Sequence, residues 1–323
     1  MQNPRRVAVV AHSRKTLGGG LDELRRRLTD ENIDELLWYE VPKSRKAPKQ
    51  VRKAVKAGVD LLVLWGGDGI VQRSIDTLAR EKGGRKVPLA IMPAGTGNLL
   101  AGNLGIPVDL GEAVDVAFRG RRRRIDLGRV NGEYFAVMAG VGFDGAMIRD
   151  ADRSMKDRLG KLAYVWTGLR HVNGSKPMAK VEVDGVTWFN DEASCVLVGN
   201  VGCITGGIPA FDDAKPDDGW LDVGVATAQG AAEWARALGT MAVSRSTRSP
   251  FVRMTRGRRV DVKLKSKLEY ELDGGAREPI KKLTVRVAPA AIKLCVPREP
   301  AEQERDRVDQ RRDRTARERD RIK

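Results

Sequence analysis

The chain has 323 residues, of which 59 are lysine or arginine and 43 are aspartate or glutamate, and its net charge at neutral pH is +16. This length suffices for two domains, and a hydrophobic fraction of 41% is ordinary for a globular protein. No apolar run approaches the roughly 20 residues of a membrane-spanning helix, and the N-terminus lacks the apolar segment of a signal peptide. We therefore expect a cytoplasmic protein whose surface attracts polyanions.

Residues 1–124 alternate between strand-like and helix-like segments. Short apolar runs predict strands at 6–12, 35–41, 60–65 and 87–96. Helical periodicity, in two cases closed by glycine, predicts helices at 21–30, 47–58 and 71–84. This alternation is typical of a parallel sheet covered by helices, and it predicts a Rossmann-like nucleotide-binding α/β domain.

Residues 125–288 have a different pattern, in which β-branched residues alternate and short turns such as Asn131-Gly132 and Asp184-Gly185 recur. This pattern predicts a mostly antiparallel β-sandwich domain. We expect two strands around Asn131-Gly132, and separate strands at 258–265, 268–275 and 282–289. Helices are expected to interrupt the domain at 156–172 and 230–243.

The last part of the chain divides in two. A strand at about 289–297 is a candidate to rejoin the first domain. Residues 298–323 mix arginine with acidic residues and contain almost no apolar side chain. They are expected to form a charged tail, either disordered or a single solvated helix.

Two glycine-rich turns follow predicted strands of the first domain. One is "GGDG", Gly66–Gly69, and the other is "PAGTGN", Pro93–Asn98. Because ligands of such sheets bind at the carboxyl ends of the strands, both turns are expected at one edge. Glycine leaves the backbone N–H groups bare, so that a phosphate can approach them. The candidate nucleotide contacts are Gly66, Gly67, Asp68, Gly69, Gly95, Thr96 and Asn98.

Asp68 is unusual in a phosphate cradle, because a carboxylate repels a phosphate. Its presence is explained if a cation lies between the two, or if it accepts a proton or a hydrogen bond from a hydroxyl group. The alternative is that "GGDG" is only a tight turn. The occurrence of two such turns favours nucleotide binding.

The order of four motifs resembles the diacylglycerol kinase catalytic-domain family of bacterial lipid kinases, to which sphingosine kinases are related. The motifs are "GGDG", "PAGTGNLLAGNLGIP", "GGIPAFDDAKPDDGWLDVGV" and "ELDGG", and the resemblance extends from about residue 5 to 297. It implies an active site in the cleft between the two domains, ATP as phosphoryl donor and a lipid hydroxyl as acceptor. It also makes a homodimer plausible.

The same resemblance implies a structural Mg²⁺ ion held by Asp218 and by the main-chain carbonyls of Lys215 and Trp220. A carboxylate beside backbone oxygens suits a hard cation. The "PDDG" sequence is also a β-turn pattern.

Several positions depart from the family pattern. Ile70 replaces the usual threonine, and Gln72 and Arg73 replace an Asn-Glu pair. The first strand leads into "AHSRKTLGGG" instead of an Asn-Pro-x-Ser-Gly turn. We expect Ser13 and Lys15 to contact phosphate through a different arrangement, with Arg14 as a second positive charge.

The largest departure concerns the proton acceptor. The family motif ends in Asp-Gly-Glu, whose glutamate is the presumed general base, and Gly275 stands at that position here. Asp68 is the first alternative, because the equivalent aspartate has this role in the sphingosine kinase relatives. Asp273 is the second, Glu271 and Glu278 are further candidates, and absence of transfer is the last possibility.

The resulting hypothesis is an ATP-dependent lipid kinase that phosphorylates a lipid such as diacylglycerol at an anionic membrane surface, at the inner face of the membrane. The alternatives are a nucleotide- or lipid-binding regulator without catalysis and an NAD kinase-like enzyme with a soluble acceptor. Nucleic-acid binding is suggested only by charge, and an aromatic fraction of 5% gives it no support. The basic run Arg119–Arg124 is either a solvated turn or a contact to lipid headgroups.

Overall fold

The computed structural model describes residues 4–142, 177–204, 208–229, 233–234, 236 and 249–299. The helix predicted at 156–172, nearly all of the helix predicted at 230–243, and the tail from residue 300 lie outside the described residues. The strands of the first half are β1 (Arg6–His12), β2 (Glu35–Val41), β3 (Leu61–Gly66), β4 (Pro88–Pro93), β5 (Arg121–Val130), β6 (Glu133–Phe135) and β7 (Met138–Val141). Those of the second half are β8 (Met178–Val183), β9 (Val186–Glu192), β10 (Cys195–Gly199), β11 (Cys203–Ile204), β12 (Ile208–Pro209), β13 (Leu221–Ala226), β14 (Val252–Gly257), β15 (Arg259–Leu272) and β16 (Gly275–Val296). The helices are α1 (Gly20–Thr29), α2 (Ala47–Lys56), α3 (Asp68–Arg80), α4 (Leu99–Asn103) and α5 (Leu110–Arg119).

The N-terminal domain is the predicted α/β domain. Strands β2, β1, β3 and β4 are neighbours in that order, and all their pairings are parallel. Along β1, Ala8 and Val10 pack into one hydrophobic cluster, while Val7 and Val9 pack into another. Because alternate side chains of a strand point to opposite faces, helices cover both faces of the sheet. The Rossmann-like prediction is confirmed.

Helices α4 and α5 have no counterpart among the predicted helices, and the bounds of α3 differ from its prediction. Helix α3 begins at Asp68, inside the "GGDG" turn, because Gly67 is extended at φ −101° and ψ −168° and serves as its N-cap. It ends at Arg80, before the glycines expected to close it. Helix α5 was not predicted. Its N-cap Asp109 accepts a hydrogen bond from the backbone N–H of Glu112, a capping pattern that the sequence displays.

The C-terminal domain is built mainly of antiparallel strands, as predicted. The two turns Asn131-Gly132 and Asp184-Gly185 have positive φ at both residues and close the β5–β6 and β8–β9 hairpins. The separate strands expected at 258–265 and 268–275 are one strand, β15, with irregular pairing near Leu268. The segment after Asn131-Gly132 forms two strands, β6 and β7, instead of one.

Strand β16 runs through both domains. Its first part pairs with β15 of the sandwich, and Lys293 and Leu294 pair in parallel with β4. The strand predicted at 282–289 is therefore part of one longer strand. Side-chain contacts add to this connection: Asn103 and Cys203 exchange two hydrogen bonds, with Asn103 Nδ2 donating to Cys203 O and Cys203 N–H donating to Asn103 Oδ1. Among the described residues, no helix combines the length and apolar character required to cross a membrane.

Candidate active site

The two glycine turns touch each other at the carboxyl edge of the parallel sheet. A Cβ atom added at Gly67 would lie 2.8 Å from the Cα of Gly95, and one added at Gly95 would overlap Gly67. Such distances are shorter than van der Waals contact, so that both positions require glycine at this backbone separation. The topology predicted this shared edge, and the structure adds direct contact between the two backbones.

Asp68 joins the two turns. Its Oδ1 accepts a 2.6 Å hydrogen bond from the backbone N–H of Leu99, the first residue of α4. Burial raises the pKa of Asp68, and backbone hydrogen bonds from Leu99 and Asn98 and the charge of Lys15 oppose that rise. A Cβ atom added at Gly97 would lie 2.7 Å from Oδ2 of Asp68, which explains the second glycine of "GTGN".

The side chain of Asn98 holds the second glycine turn together through hydrogen bonds to its backbone. It has the left-handed φ of 50°, and its Oδ1 accepts a hydrogen bond from Gly95 N–H. Its Nδ2 donates to the carbonyls of Pro93 and Gly95. The amide is thus used by its own loop, whereas Thr96 stands exposed at the tip of the turn.

The loop after β1 reaches the same edge. Lys15 is half-buried, its carbonyl accepts a hydrogen bond from Trp65 Nε1, and its charge lowers the pKa of Asp68. Burial lowers the pKa of His12, and Lys15 lowers it further. Ser13 is exposed, and its backbone N–H donates to the carbonyl of Val41. Lys15 therefore places a positive charge near Asp68. Ser13, in the loop after β1, lies beside the last residue of β2.

The loop after β2 is a third contributor that the sequence reasoning missed. A Cβ atom added at Gly69 would lie 3.5 Å from Ser44 Oγ. Lys43, Arg45 and Lys46 flank Ser44 and are exposed. The signal was available, because the basic run "VPKSRK" directly follows a predicted strand of a parallel sheet.

Asp273 lies in the C-terminal domain and organises the connection between β6 and β7. Its carboxylate accepts three hydrogen bonds of 2.8 to 2.9 Å from the backbone N–H groups of Ala136, Val137 and Met138. Its pKa is raised to about 6: burial raises it most, the three hydrogen bonds oppose the rise, and the charge of Asp68 adds to it. Asp273 therefore lies within electrostatic range of Asp68, and its oxygens already accept hydrogen bonds from the backbone.

The position of the missing glutamate lies beside a guanidinium group. A Cβ atom added at Gly275 would lie 2.9 Å from Arg277 Nη1. Arg277 Nε donates a 2.6 Å hydrogen bond to Glu133, and Gln72 Nε2 donates to the carbonyl of Tyr134. Two departures from the family pattern, at 72 and 275, thus lie where helix α3 meets the sandwich. The other two glutamate candidates differ: Glu271 is buried, and Glu278 is exposed.

The expected metal loop is held firmly in place. Asp126 is buried, and its carboxylate accepts hydrogen bonds from the backbone N–H groups of Gly219 (2.6 Å) and Ala290 (2.7 Å). Arg123 donates two 2.7 Å hydrogen bonds to Asp217. Asp218 is exposed and accepts a hydrogen bond from its neighbour Trp220 N–H.

Acidic side chains gather around this loop, with arginines beside them. The pKa of Asp222 is raised to about 6 by burial and by the negative charges of Asp218 and Asp213, against the opposing charge of Arg256. A cation held by Asp218 and main-chain carbonyls would offset this repulsion. No cluster of three or more His, Cys, Asp or Glu side chains suited to a metal occurs among the residues that the structure describes, so such a site would depend on backbone oxygens.

The basic run Arg119–Arg124 is largely engaged within the protein. Arg119 pairs with Glu31 and Asp115, and Arg122 donates to backbone carbonyls. Arg124 donates to the carbonyl of Ala290. These contacts attach the run to neighbouring segments and leave less of its charge for an external ligand.

Two protein-family profiles match the chain in succession. The diacylglycerol kinase catalytic domain matches residues 11–130, and the YegS C-terminal NAD kinase beta sandwich-like domain matches residues 136–296. A solved structure described as a diacylglycerol kinase from Bacillus anthracis (strain Sterne) superimposes with a TM-score of 0.72 at 20% identity, covering 93% of this chain and 99% of the other. At that identity the likeness concerns the fold.

Curated relatives show the family itself. "Diacylglycerol kinase" of Bacillus subtilis (strain 168) is 30% identical over 269 residues, which cover 80% of this chain and 85% of the relative. "Probable lipid kinase YegS-like" of Pseudomonas aeruginosa (strain PAO1) is 33% identical with the same coverage. With its two glycine turns joined by Asp68 beneath a β-sandwich, the chain belongs to the diacylglycerol kinase catalytic-domain family of lipid kinases.

Proposed function

We propose that this lipid kinase transfers the γ-phosphoryl group of ATP to a hydroxyl group of a lipid such as diacylglycerol. The observation that carries the proposal is the junction of the two glycine turns over Asp68, at the sheet edge that faces Asp273 of the sandwich. This junction combines the backbone N–H groups of two glycine-rich turns with one carboxylate. Such a combination suits a polyphosphate on one side and a hydroxyl or a cation on the other.

In this proposal each residue has a defined task. Because the N–H groups of Gly95 and Leu99 already donate to Asn98 and Asp68, the other N–H groups of the two turns and of the start of α3 bind the phosphates. Helix N-termini attract anions. Lys15 and the loop residues Lys43, Arg45 and Lys46 contribute positive charge near the phosphates. Phosphoryl transfer depends mainly on positioning and charge neutralisation, so that these residues supply most of the required environment.

Mg²⁺ belongs to the proposal in two places. Bound with ATP, it would neutralise charge on the phosphates that are transferred and released. A second ion at Asp218, with the carbonyls of Lys215 and Trp220, would stabilise the "PDDG" loop. Its support is the repulsion among the acidic side chains near Asp222.

The acceptor lipid is proposed to arrive from an anionic membrane surface. The net charge of +16 favours such a surface, and Lys43, Arg45 and Lys46 are exposed beside the glycine turns. These three residues form no ion pair with another described residue. They replace Arg119–Arg124 as the preferred contact, because that run is engaged internally.

Labelled phosphate transfer tests the proposal. The protein is incubated with γ-labelled ATP, Mg²⁺ and diacylglycerol in mixed micelles, beside the Asp68→Asn variant. We expect labelled lipid from the wild type and at least a 10²-fold lower rate from the variant, in the range of general-base and charge effects. ATP that protects the wild-type fold against heat without any labelled lipid would instead identify a nucleotide-binding regulator.

A further inference from the structure

Glu271 is a buried carboxylate of the sandwich domain that has no part in binding the phosphates or the metal ion. It lies on β15, where it pairs with Gly140 of β7 and Ala276 of β16. Its exposed fraction is 5%, although glutamate is seldom fully buried without a partner. A Cβ atom added at Gly140 would lie 3.8 Å from Glu271 Cγ, so that the side chain extends over a glycine that leaves space for it.

The side chain of Glu271 points toward the nucleotide-binding domain. Glu271, Gly140 and Leu197 lie in one register row across three strands, and therefore on one face of the sheet. Leu197 belongs to the hydrophobic cluster that includes Leu99 and Leu100 of α4. The neighbours of Glu271 along β15 belong instead to the sandwich core; they are Tyr270 and Leu272.

The other candidate proton acceptors are engaged by backbone N–H groups, exposed at the surface as Glu278 is, or missing. Asp273 accepts three backbone hydrogen bonds, Asp68 accepts one from Leu99, and Gly275 has no side chain. Glu271 makes no hydrogen bond to another described residue. Within the part of the chain that the structure describes, its oxygens therefore have the capacity to accept a proton from a bound molecule.

The electrostatic surroundings give Glu271 a suitable proton affinity. Burial, together with the neighbouring charge of Asp273, raises its pKa to about 7. The charge of Glu271 also acts on the thiol of Cys195 on β10. The pKa of this thiol is raised to about 12, mainly by burial, so that the thiol stays neutral. A general base works best when its pKa lies near the working pH.

We propose that Glu271 is the proton acceptor for the lipid hydroxyl and substitutes for the glutamate absent at Gly275. This inference rests on the proposed function. As the hydroxyl oxygen forms its bond to the γ-phosphorus, its proton passes to Glu271 and the bond from the γ-phosphorus to the β–γ bridging oxygen breaks. ADP leaves, and Glu271 then releases the proton to solvent.

The experiment compares Glu271→Gln with wild type, with Glu271→Asp, and with Glu192→Gln, which changes an exposed glutamate of the same domain. Turnover with diacylglycerol is measured from pH 5 to 9, with thermal melting and ATP binding on each protein. We expect Glu271→Gln to fold and bind ATP, to lose about 10²-fold in kcat, and to lose the rise of kcat near pH 7. Glu271→Asp should recover part of the activity, and Glu192→Gln should match wild type.

The outcomes separate this inference from the proposed function. An active wild type with an inactive Asp68→Asn and a fully active Glu271→Gln, its pH profile unchanged, overturns the role of Glu271 alone. A wild type that binds ATP and transfers no phosphate overturns both. If Glu271→Gln fails to fold, a Glu271→Asp variant with wild-type kcat and pH profile also counts against the proposal, because the shorter side chain moves the carboxylate.

Discussion

The backbone N–H of Leu99 donates a 2.6 Å hydrogen bond to Asp68 Oδ1, and this contact joins two turns that are 31 residues apart in sequence. Asp68 begins α3 and Leu99 begins α4, so that one carboxylate fixes the relative position of two helix starts. The aspartate in "GGDG" therefore stabilises the junction of the two turns, and it is also a candidate contact for the acceptor hydroxyl or for a cation.

Asp68→Asn and Asp68→Ala separate these two roles. Asparagine retains an oxygen that can accept from Leu99, whereas alanine leaves that partly buried N–H without its partner. We expect Asp68→Ala to be less stable than Asp68→Asn by about 1–3 kcal/mol, and both to be inactive. Urea unfolding gives the stability, and equal stability of the two variants would show that the hydrogen bond contributes nothing.

Gly95→Ala tests the contact between the turns. The new methyl group would overlap Gly67, so we expect a loss of about 1–3 kcal/mol in stability together with loss of ATP binding. The control is Gly102→Ala in α4, where an added Cβ meets nothing within 4 Å and alanine favours the helix by about 0.5–1 kcal/mol. Thermal melting with and without ATP measures both effects. ATP binding that survives Gly95→Ala would contradict the proposed cradle.

Stability is expected to depend on pH through Glu271 and Asp273. Their pKa values rise from 4.5 and 3.8 to about 7 and about 6 in the folded protein. Between about pH 4 and 7 the folded state then binds more protons than the unfolded state, and the free energy of unfolding falls as the pH rises. Their contribution is complete below about pH 4 and is lost above about pH 7.

The Glu271→Gln variant isolates one of these groups. Its free energy of unfolding should fall less between pH 5 and 8 than that of wild type, by on the order of 2 kcal/mol. Urea titrations at both pH values measure the difference. Parallel curves for the two proteins would mean that Glu271 has an ordinary pKa in the folded state.

Mg²⁺ in the absence of ATP should stabilise the protein through the loop at Asp218. One site on the folded state adds about 2.7 kcal/mol at an ion concentration 100 times Kd. The expected rise in Tm should vanish in Asp218→Asn and persist in Asp30→Asn, which changes the exposed aspartate that caps the end of α1. A rise of equal size in all three proteins would argue for an ion bound elsewhere.

Membrane attachment should follow the basic loop after β2. Replacing Lys43, Arg45 and Lys46 with glutamine removes three charges, each contributing about 1 kcal/mol near an anionic surface. We expect about 10²-fold weaker binding to phosphatidylglycerol vesicles in a sedimentation assay at low salt. The control is a triple glutamine variant of exposed sandwich lysines, namely Lys265, Lys267 and Lys281. Equal losses in both variants would indicate attraction by net charge alone.

Local chemistry made much of the fold readable from the sequence. Alternating apolar runs predict the strands of the α/β domain, and residue pairs such as Asn131-Gly132 predict hairpins because both residues tolerate positive φ. The order of strands and turns also places both glycine turns at one edge of the sheet. A long strand with irregular pairing is harder to predict. The residues of β15 just before Leu268 look like a break between two strands in the sequence, because the strands that pair with them are not known from it.

The sequence by itself determined the α/β and sandwich domains, the family resemblance and the glycine turns, because these depend on periodicity and on residues that few other side chains can replace. Only the tertiary structure decided which carboxylates accept hydrogen bonds from the backbone. Asp273 accepts hydrogen bonds from the backbone N–H groups of Ala136, Val137 and Met138, whereas Glu271, beside Gly140, makes none to another described residue. Hydrogen-bond partners and burial come from segments distant in sequence, and these contacts set both geometry and pKa.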